Sequence, residues 1–212
     1  MKLDEEYIDT LVKRIEGKLY LGGFNMNTVN PFNILAISGS LRGKSLNSAL
    51  LRSVISMIPS QVTVVNYSEM AQLPHFNPDL DIDDIDPAVA NWRRFLKEAN
   101  GLLICTPEYA KGVPGSLKNA LDWVVSSGEF VNKPVGVISA SPHPDGGAVA
   151  NASLLGTLSM MSASVVEGAT LTVPFINKKL GKNEEIIDAE LRVNIENLLN
   201  ALFQKINNNV IG

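Results

Sequence analysis

Cysteine is almost missing from this chain. Cys105 is the only one among 212 residues, so no intramolecular disulfide can form, which fits a reducing compartment. Histidine occurs only at positions 75 and 143. Two isolated histidines without further ligands at metal spacing do not make a metal site. A basic excess is absent too: the formal net charge is −4. That argues against nucleic acid as a partner, because phosphate backbones select basic surfaces. No apolar run approaches the roughly 18–20 residues of a membrane span. The first twenty residues, MKLDEEYIDTLVKRIEGKLY, carry acids throughout and lack the apolar core of a signal peptide. The expectation is a soluble, cytoplasmic protein without a membrane partner.

Several catalytic signatures are absent as well. GxxxxGK[ST], GxGxxG and GxSxG do not occur, which removes the Walker loop, the dinucleotide fingerprint and the serine-hydrolase elbow. The acidic run DLDIDDID (79–86) lacks the glycine and glutamate that a calcium loop needs at its sixth and twelfth positions; it reads as a solvated loop. Cys105 lies inside an apolar strand and reads as a buried structural thiol.

What is present is an alternation of strands and helices. The hydrophobic content is 45% and the charged content 19%, enough for one domain with a sizeable core. Leu3, Tyr7, Leu11, Ile15 and Leu19 recur at fourfold spacing, a helix pattern, and GGFNMNTVNP breaks it. Residues 1–32 are taken as an N-terminal helical extension and 33–212 as the main domain. NILAIS (33–38), VTVVNY (62–67), GLLICT (101–106), PVGVISA (134–140) and SVVEGATLTV (164–173) read as strands. Helices are predicted over 45–58, 87–100, 114–126, 147–161 and 184–207. Nearly continuous apolar strands are buried on both faces, which means a parallel sheet between helical layers. Five of them in βα alternation predict a doubly wound α/β fold, a five-stranded parallel sheet of flavodoxin-like order 2-1-3-4-5.

In such a sheet ligands bind beyond the carboxyl ends of the strands, at the switch in strand order. Three loops meet there. The first, GSLRGKSLN (39–47), joins a strand to a helix start. It offers unpaired N–H groups and a partial positive charge, hydroxyls from Ser40 and Ser45, an amide from Asn47 and a guanidinium from Arg42. It reads as a monophosphate cradle; the plain alternative is a turn in which Ser45 caps the helix. The second, TPEYAKGVPGSLKNALDW (106–123), is stiffened by two glycines and two prolines and is expected to point Glu108 and Tyr109 into the crevice. The alternative is a Tyr109 that packs and a Glu108 that faces water. The third, SASPHPDGGAVANASL (139–154), is small and glycine-rich, so backbone can approach a ligand.

GSLRGKSLN followed by TPEYAKGVPGSLKNALDW, with LPHFNPDLD between them and the paired glycines of the third loop, resembles the NADPH-dependent FMN reductase family. That family includes quinone, azo-dye and chromate reductases. The resemblance spans roughly residues 33–175. It implies FMN as cofactor, with NADPH or NADH as donor and a small-molecule acceptor. By the family pattern Ser40, Arg42, Ser45, Leu46 and Asn47 surround the phosphate. Pro107, Glu108, Tyr109 and Gly112 border the flavin ring, and Ser139, Gly146 and Gly147 close the third side. No catalytic side chain is required, since the flavin carries the chemistry. The resemblance also implies a homodimer or homotetramer, with Leu117 to Trp123 near the subunit contact. A flavodoxin-like electron carrier is the alternative. The helix after the third loop departs from the family pattern by lacking an arginine.

Overall fold

A computed structural model describes residues 31–210 and the backbone of Tyr20–Leu21, Phe24–Asn25 and Ile211. The helix expected in residues 1–20 lies outside the described residues except at Tyr20, which is in a strand. Tyr20–Leu21 and Phe24–Asn25 form a short antiparallel ribbon.

The main sheet has five parallel strands: β1 (Asn33–Ser38), β2 (Thr63–Tyr67), β3 (Gly101–Thr106), β4 (Pro134–Ala140) and β5 (Ser164–Val173). Their order is β2-β1-β3-β4-β5, the 2-1-3-4-5 arrangement. The switch falls between β1 and β3, whose pairing runs from Ile34↔Gly101 to Ser38↔Cys105. The central strands β3 and β4 are buried along their whole length. The outer strands β2 and β5 are half-exposed, as edges with one covered face should be. A register shift lies between Val135 and Val137, where β4 pairs with β5.

Period-two alternation sends neighbouring strand residues to opposite faces. Ile34, Ala36, Leu103 and Cys105 join the core shared with helices α1 (Leu46–Met57) and α6 (Ala189–Ile211). Leu35, Ile37, Leu102 and Ile104 join the other core. Helices α2 (Pro87–Glu98), α3 (Gly115–Asp122) and α4 (Ala148–Met160) cover that side. A short α5 (Ile176–Lys179), not expected from the sequence, follows β5.

Helix starts follow the capping chemistry. Ser45 accepts from Ser48 N–H to open α1, and Asp86 accepts from Ala88 N–H, with Pro87 first in α2. Three helix boundaries differ from expectation by four residues or more, one of them the end of the closing helix, at Ile211 instead of 207. The closing helix begins at Ala189 instead of Glu184: Glu184 has φ +68°, which no helix accommodates, and Asp188 accepts from Leu191 N–H at 2.7 Å as the cap. Helix α3 ends at Asp122, and a series of turns carries the chain on to Phe130.

Leu117, Ala120, Leu121 and Trp123 are fully buried in the chain's own core, so the apolar half of this motif is spent internally. Trp123 donates to Pro74 C=O at 2.8 Å and Trp92 to Ala120 C=O at 2.8 Å, which satisfies both indoles. Among the described residues no helix is long and apolar enough to cross a membrane.

Candidate active site at the carboxyl ends of the strands

The first loop leaves β1 at Ser38 and is tied down at once. Gly39 N–H donates to Cys105 C=O at 2.8 Å, extending the β1–β3 pairing. A Cβ on Gly39 would sit 2.6 Å from Thr106 Oγ1, so only glycine lets the two strand ends approach this closely. Beyond it, Ser38 and Ser48 share a hydrogen bond of 2.7 Å between their hydroxyls. These two serines buttress the turn, and the motif did not single them out.

Helix α1 then points its amino end at the loop. Its first-turn N–H groups have no intrahelical partner. Ser45 Oγ takes that of Ser48, which leaves those of Leu46 and Asn47 for a ligand. Capping uses Ser45 Oγ as an acceptor, so its O–H still has a proton to donate; the capping role and the anion-donor role coexist. Ser40 is buried, and its Oγ receives Arg42 N–H at 3.4 Å. The Arg42 side chain is exposed and, among the described residues, has no ion-pair partner.

Asn47 corrects the sequence reading. Its amide is not free for an anion. Nδ2 donates to Ala140 C=O at 2.9 Å, and Oδ1 accepts from Ala140 N–H at 3.2 Å. Cys105 Sγ donates to Asn47 C=O at 3.3 Å. A buried amide must be satisfied, and this one is satisfied by a strand end. One Nδ2 proton and Oδ1 are thus taken up by Ala140, and the Asn47 backbone N–H is left for a ligand. Burial pushes the Cys105 thiol pKa up, which keeps it protonated and unreactive.

The second loop follows Thr106 and the buried Pro107. Tyr109 and Gly112 exchange both backbone hydrogen bonds, at 2.9 and 3.0 Å. Ala110 and Lys111 between them have φ of +49° and +63°, the φ signs of a type I′ turn. Tyr109 is 42% exposed, and its hydroxyl lies 3.5 Å from Ser40 Oγ, bridging the first two loops.

Glu108 neither points free into the crevice nor faces water, so both expectations are corrected. Its Oε2 accepts from Val149 and Ala150 N–H at 3.1 and 3.2 Å. Helix α4 begins after Gly147, whose φ is +82° and which has no side chain to cap with. Glu108 supplies that cap from another loop, where a negative charge suits the helix dipole. Lys111 Nζ bridges Glu108 at 3.1 Å and Asp145 at 3.4 Å, linking the second and third loops.

The third loop places Ser139 at the end of β4, with its Oγ donating to Gly146 C=O at 3.2 Å. Gly146 and Gly147 both have positive φ, and a Cβ on Gly147 would lie 3.4 Å from that of Ser139. All three loops thus converge on the switch point. They bring Ser40, Ser45, Leu46 and the Asn47 backbone to one flank, Pro107 to Gly112 to the second, and Ser139 to Gly147 to the third. No cluster able to hold a metal exists among the described residues.

Residues 32–178 match the model of the NADPH-dependent FMN reductase family. The chain is 31% identical over 175 residues to an NAD(P)H-dependent FMN reductase of Pseudomonas aeruginosa, covering 82% of this chain and 94% of that one. It is also 31% identical to a 2-hydroxy-1,4-benzoquinone reductase of a Burkholderia species, covering 75% and 87%. Among solved structures it superposes on the flavoenzyme NAD(P)H:(acceptor) oxidoreductase FerB of Paracoccus denitrificans. There the TM-score is 0.75 at 24% identity, over 82% of this chain and 97% of that one, which speaks for the fold. The strand order, the convergence of the three loops and the match over most of the domain agree: the chain belongs to the NADPH-dependent FMN reductase family.

Proposed function

We propose that this chain holds FMN at the switch point and works as an NAD(P)H-dependent reductase of a small acceptor, such as a quinone, an azo compound or a metal oxyanion. The observation that carries the reading is the pair of free N–H groups, Leu46 and Asn47, beside the unpaired Arg42. Together with the Ser45 hydroxyl this is a donor set for a phosphate monoester, with no carboxylate in the loop to repel it. Pro107, Tyr109 and Gly112 would border the ring on one side, with Ser139, Gly146 and Gly147 on the other. Glu108 is a positioning residue: by capping α4 and pairing with Lys111 it fixes the distance between those two walls.

When bound, FMN supplies the two-electron chemistry, taking hydride from NADPH or NADH and handing electrons to the acceptor. The protein's task is to bind, orient and shield. Donor and acceptor would use one crevice in turn, which predicts ping-pong kinetics. The test is a visible spectrum of the protein with added FMN, before and after anaerobic NADPH. A bound-flavin band that bleaches supports the reading. An absent band removes FMN, and a band indifferent to both NADPH and NADH moves the protein to the electron carriers.

A homo-oligomer, dimeric or tetrameric, is part of the same proposal, as are a cytoplasmic location and the division at residue 32. Helix α4 carries no charged residue in its thirteen positions, yet Val149 and Met160 are 41% and 72% exposed. A helix with no charged residue on any side and large apolar side chains exposed is expected to be covered. Beside it a groove of about 410 Å³ runs between Lys118, Val125, Gly156 and Met160. A second copy packed there would cover both. Light scattering reads it: a smaller particle for Met160→Glu supports the assignment, and a monomeric parent protein ends it.

A further inference from the structure

The second and third loops are joined at two depths. The inner joint is Glu108, whose side chain is 11% exposed and whose Oε2 accepts from Val149 and Ala150 N–H at the start of α4. The outer joint is Lys111, whose side chain is 70% exposed and reaches Glu108 Oε1 at 3.1 Å and Asp145 Oδ2 at 3.4 Å. The two joints differ in strength. Glu108 is shielded and holds two backbone N–H groups besides the ammonium. The Lys111–Asp145 arm stands in water, where an ion pair is weak and salt screens it.

Asp145 ends a short tip. Pro142, His143, Pro144 and Asp145 are exposed between the buried Ser141 and Gly146. The base of this tip is fixed. Ser141 N–H donates to Val173 C=O at 3.1 Å, and a Cβ on Gly146 would lie 2.9 Å from Pro174 N. Among the described residues, the only polar contact between the tip and the second loop is that of Asp145 with Lys111. The tip can therefore part from the second loop by breaking one exposed pair, while its base and the Glu108 cap on α4 stay in place.

The FMN ring would sit between these two loops. A ring that enters from solvent or leaves to it passes their outer edge, where the arm lies. We propose that Lys111 and Asp145 form a clasp that sets the residence time of FMN. Closed, the arm holds the tip of the third loop against the second; parted, it frees the slot. Both are positioning residues, because the arm acts by placing the tip. This rests on the FMN reading of the crevice.

Two measurements on the full-length protein test the clasp. Hydrogen exchange of the FMN-free protein reads the tip without any flavin. Asp145→Asn and Lys111→Met should exchange faster than the parent over residues 141–147, and Lys111→Arg, which keeps the charge, should match the parent. Asp145→Asn retains the Oδ1 that accepts from Gly147 N–H, so the loop's own turn is preserved. FMN release is then timed by the recovery of flavin fluorescence on dilution of the loaded protein. Asp145→Asn and Lys111→Met should release FMN roughly threefold faster, the scale of one exposed ion pair, and Lys111→Arg at the parental rate. Added KCl should quicken release more in the parent than in Asp145→Asn, because only the parent has an arm to screen. A parent that binds FMN, with release unchanged in Asp145→Asn, overturns the clasp alone. So does equal exchange over 141–147 in parent and variants, or a Lys111→Arg that behaves like Lys111→Met. A parent that binds no FMN overturns the cofactor reading itself, and the absent flavin signal tells the two failures apart.

Discussion

The Asn47 side chain grips the backbone of Ala140 from both sides, with Nδ2 on the carbonyl and Oδ1 on the N–H, 93 positions apart in sequence. The contact fastens the amino end of α1 to the carboxyl end of β4. The first and third loops therefore share one anchor, and the spacing of the crevice depends on an amide that faces inward.

Replacing that amide should cost stability before it costs binding. Asn47→Ala leaves a buried N–H and C=O of Ala140 without their side-chain partner, at about 1–3 kcal/mol for each unsatisfied group. We expect a loss of about 3 kcal/mol in urea unfolding. Asn47→Asp should do at least as much harm, because it keeps the acceptor, loses the donor and buries a charge. Unfolding midpoints of both variants, taken without FMN, check this. If either variant matches the parent in stability, the anchor is not structural.

Arg42 should behave in the opposite way. It is exposed and unpaired, so Arg42→Ala removes nothing the fold uses. FMN affinity should fall by about 1.5 kcal/mol, the low end for a charged hydrogen bond because water screens the guanidinium. Flavin fluorescence titration gives the affinity, and a thermal melt of the FMN-free protein should be unchanged. Full retention of FMN binding would remove Arg42 from the cradle.

These two residues mark where the sequence could be read and where it could not. The strands at 33–38, 101–106 and 134–140 were legible as unbroken apolar runs, because a central parallel strand is buried on both faces. Helix starts at Ser45 and Pro87 were legible because capping is local. The tasks of Asn47 and Glu108 were not. Both look like ligand groups in a motif, but their partners lie 93 and 41 positions away, and nothing in a loop's own composition reveals a distant backbone group that needs satisfying. The closing helix was misread for a related reason. EEIIDAEL has helical composition, yet Glu184 answers to Arg52, and the tertiary pair overrides local propensity.

The turn at Ala110 is strained, and that strain should be removable. Alanine at φ +49° bears a left-handed penalty that asparagine, with its short polar side chain, largely escapes. Ala110→Asn should stabilise the protein by about 0.5–1 kcal/mol, read as a higher melting temperature. FMN affinity should not fall, since the turn's backbone stays as it is. A lower melting temperature would mean that the methyl group of Ala110 makes a contact worth more than the strain.

Tyr67 offers the clearest dependence on pH. It ends β2 with its ring packed against Trp92, the centroids 4.6 Å apart and the planes tilted by 39°. Its hydroxyl is buried with no hydrogen-bond partner. Burial disfavours the phenolate, and the pKa rises from 10.0 to about 12. A group whose folded pKa lies above its unfolded value lends stability that is fully present below the unfolded pKa and is lost as pH climbs through the folded one. Stability should therefore be flat with respect to Tyr67 up to about pH 9 and should decline between about pH 10 and 12 as the unfolded chain ionises first. Tyr67→Phe removes that decline. It also removes a buried hydroxyl that bonds to nothing, so at neutral pH the variant should be more stable, by about 1 kcal/mol. Urea unfolding at pH 7 and pH 10.5 tests both parts. A variant less stable at pH 7 would show that the hydroxyl has a partner, and an unchanged alkaline decline would assign the loss to another group.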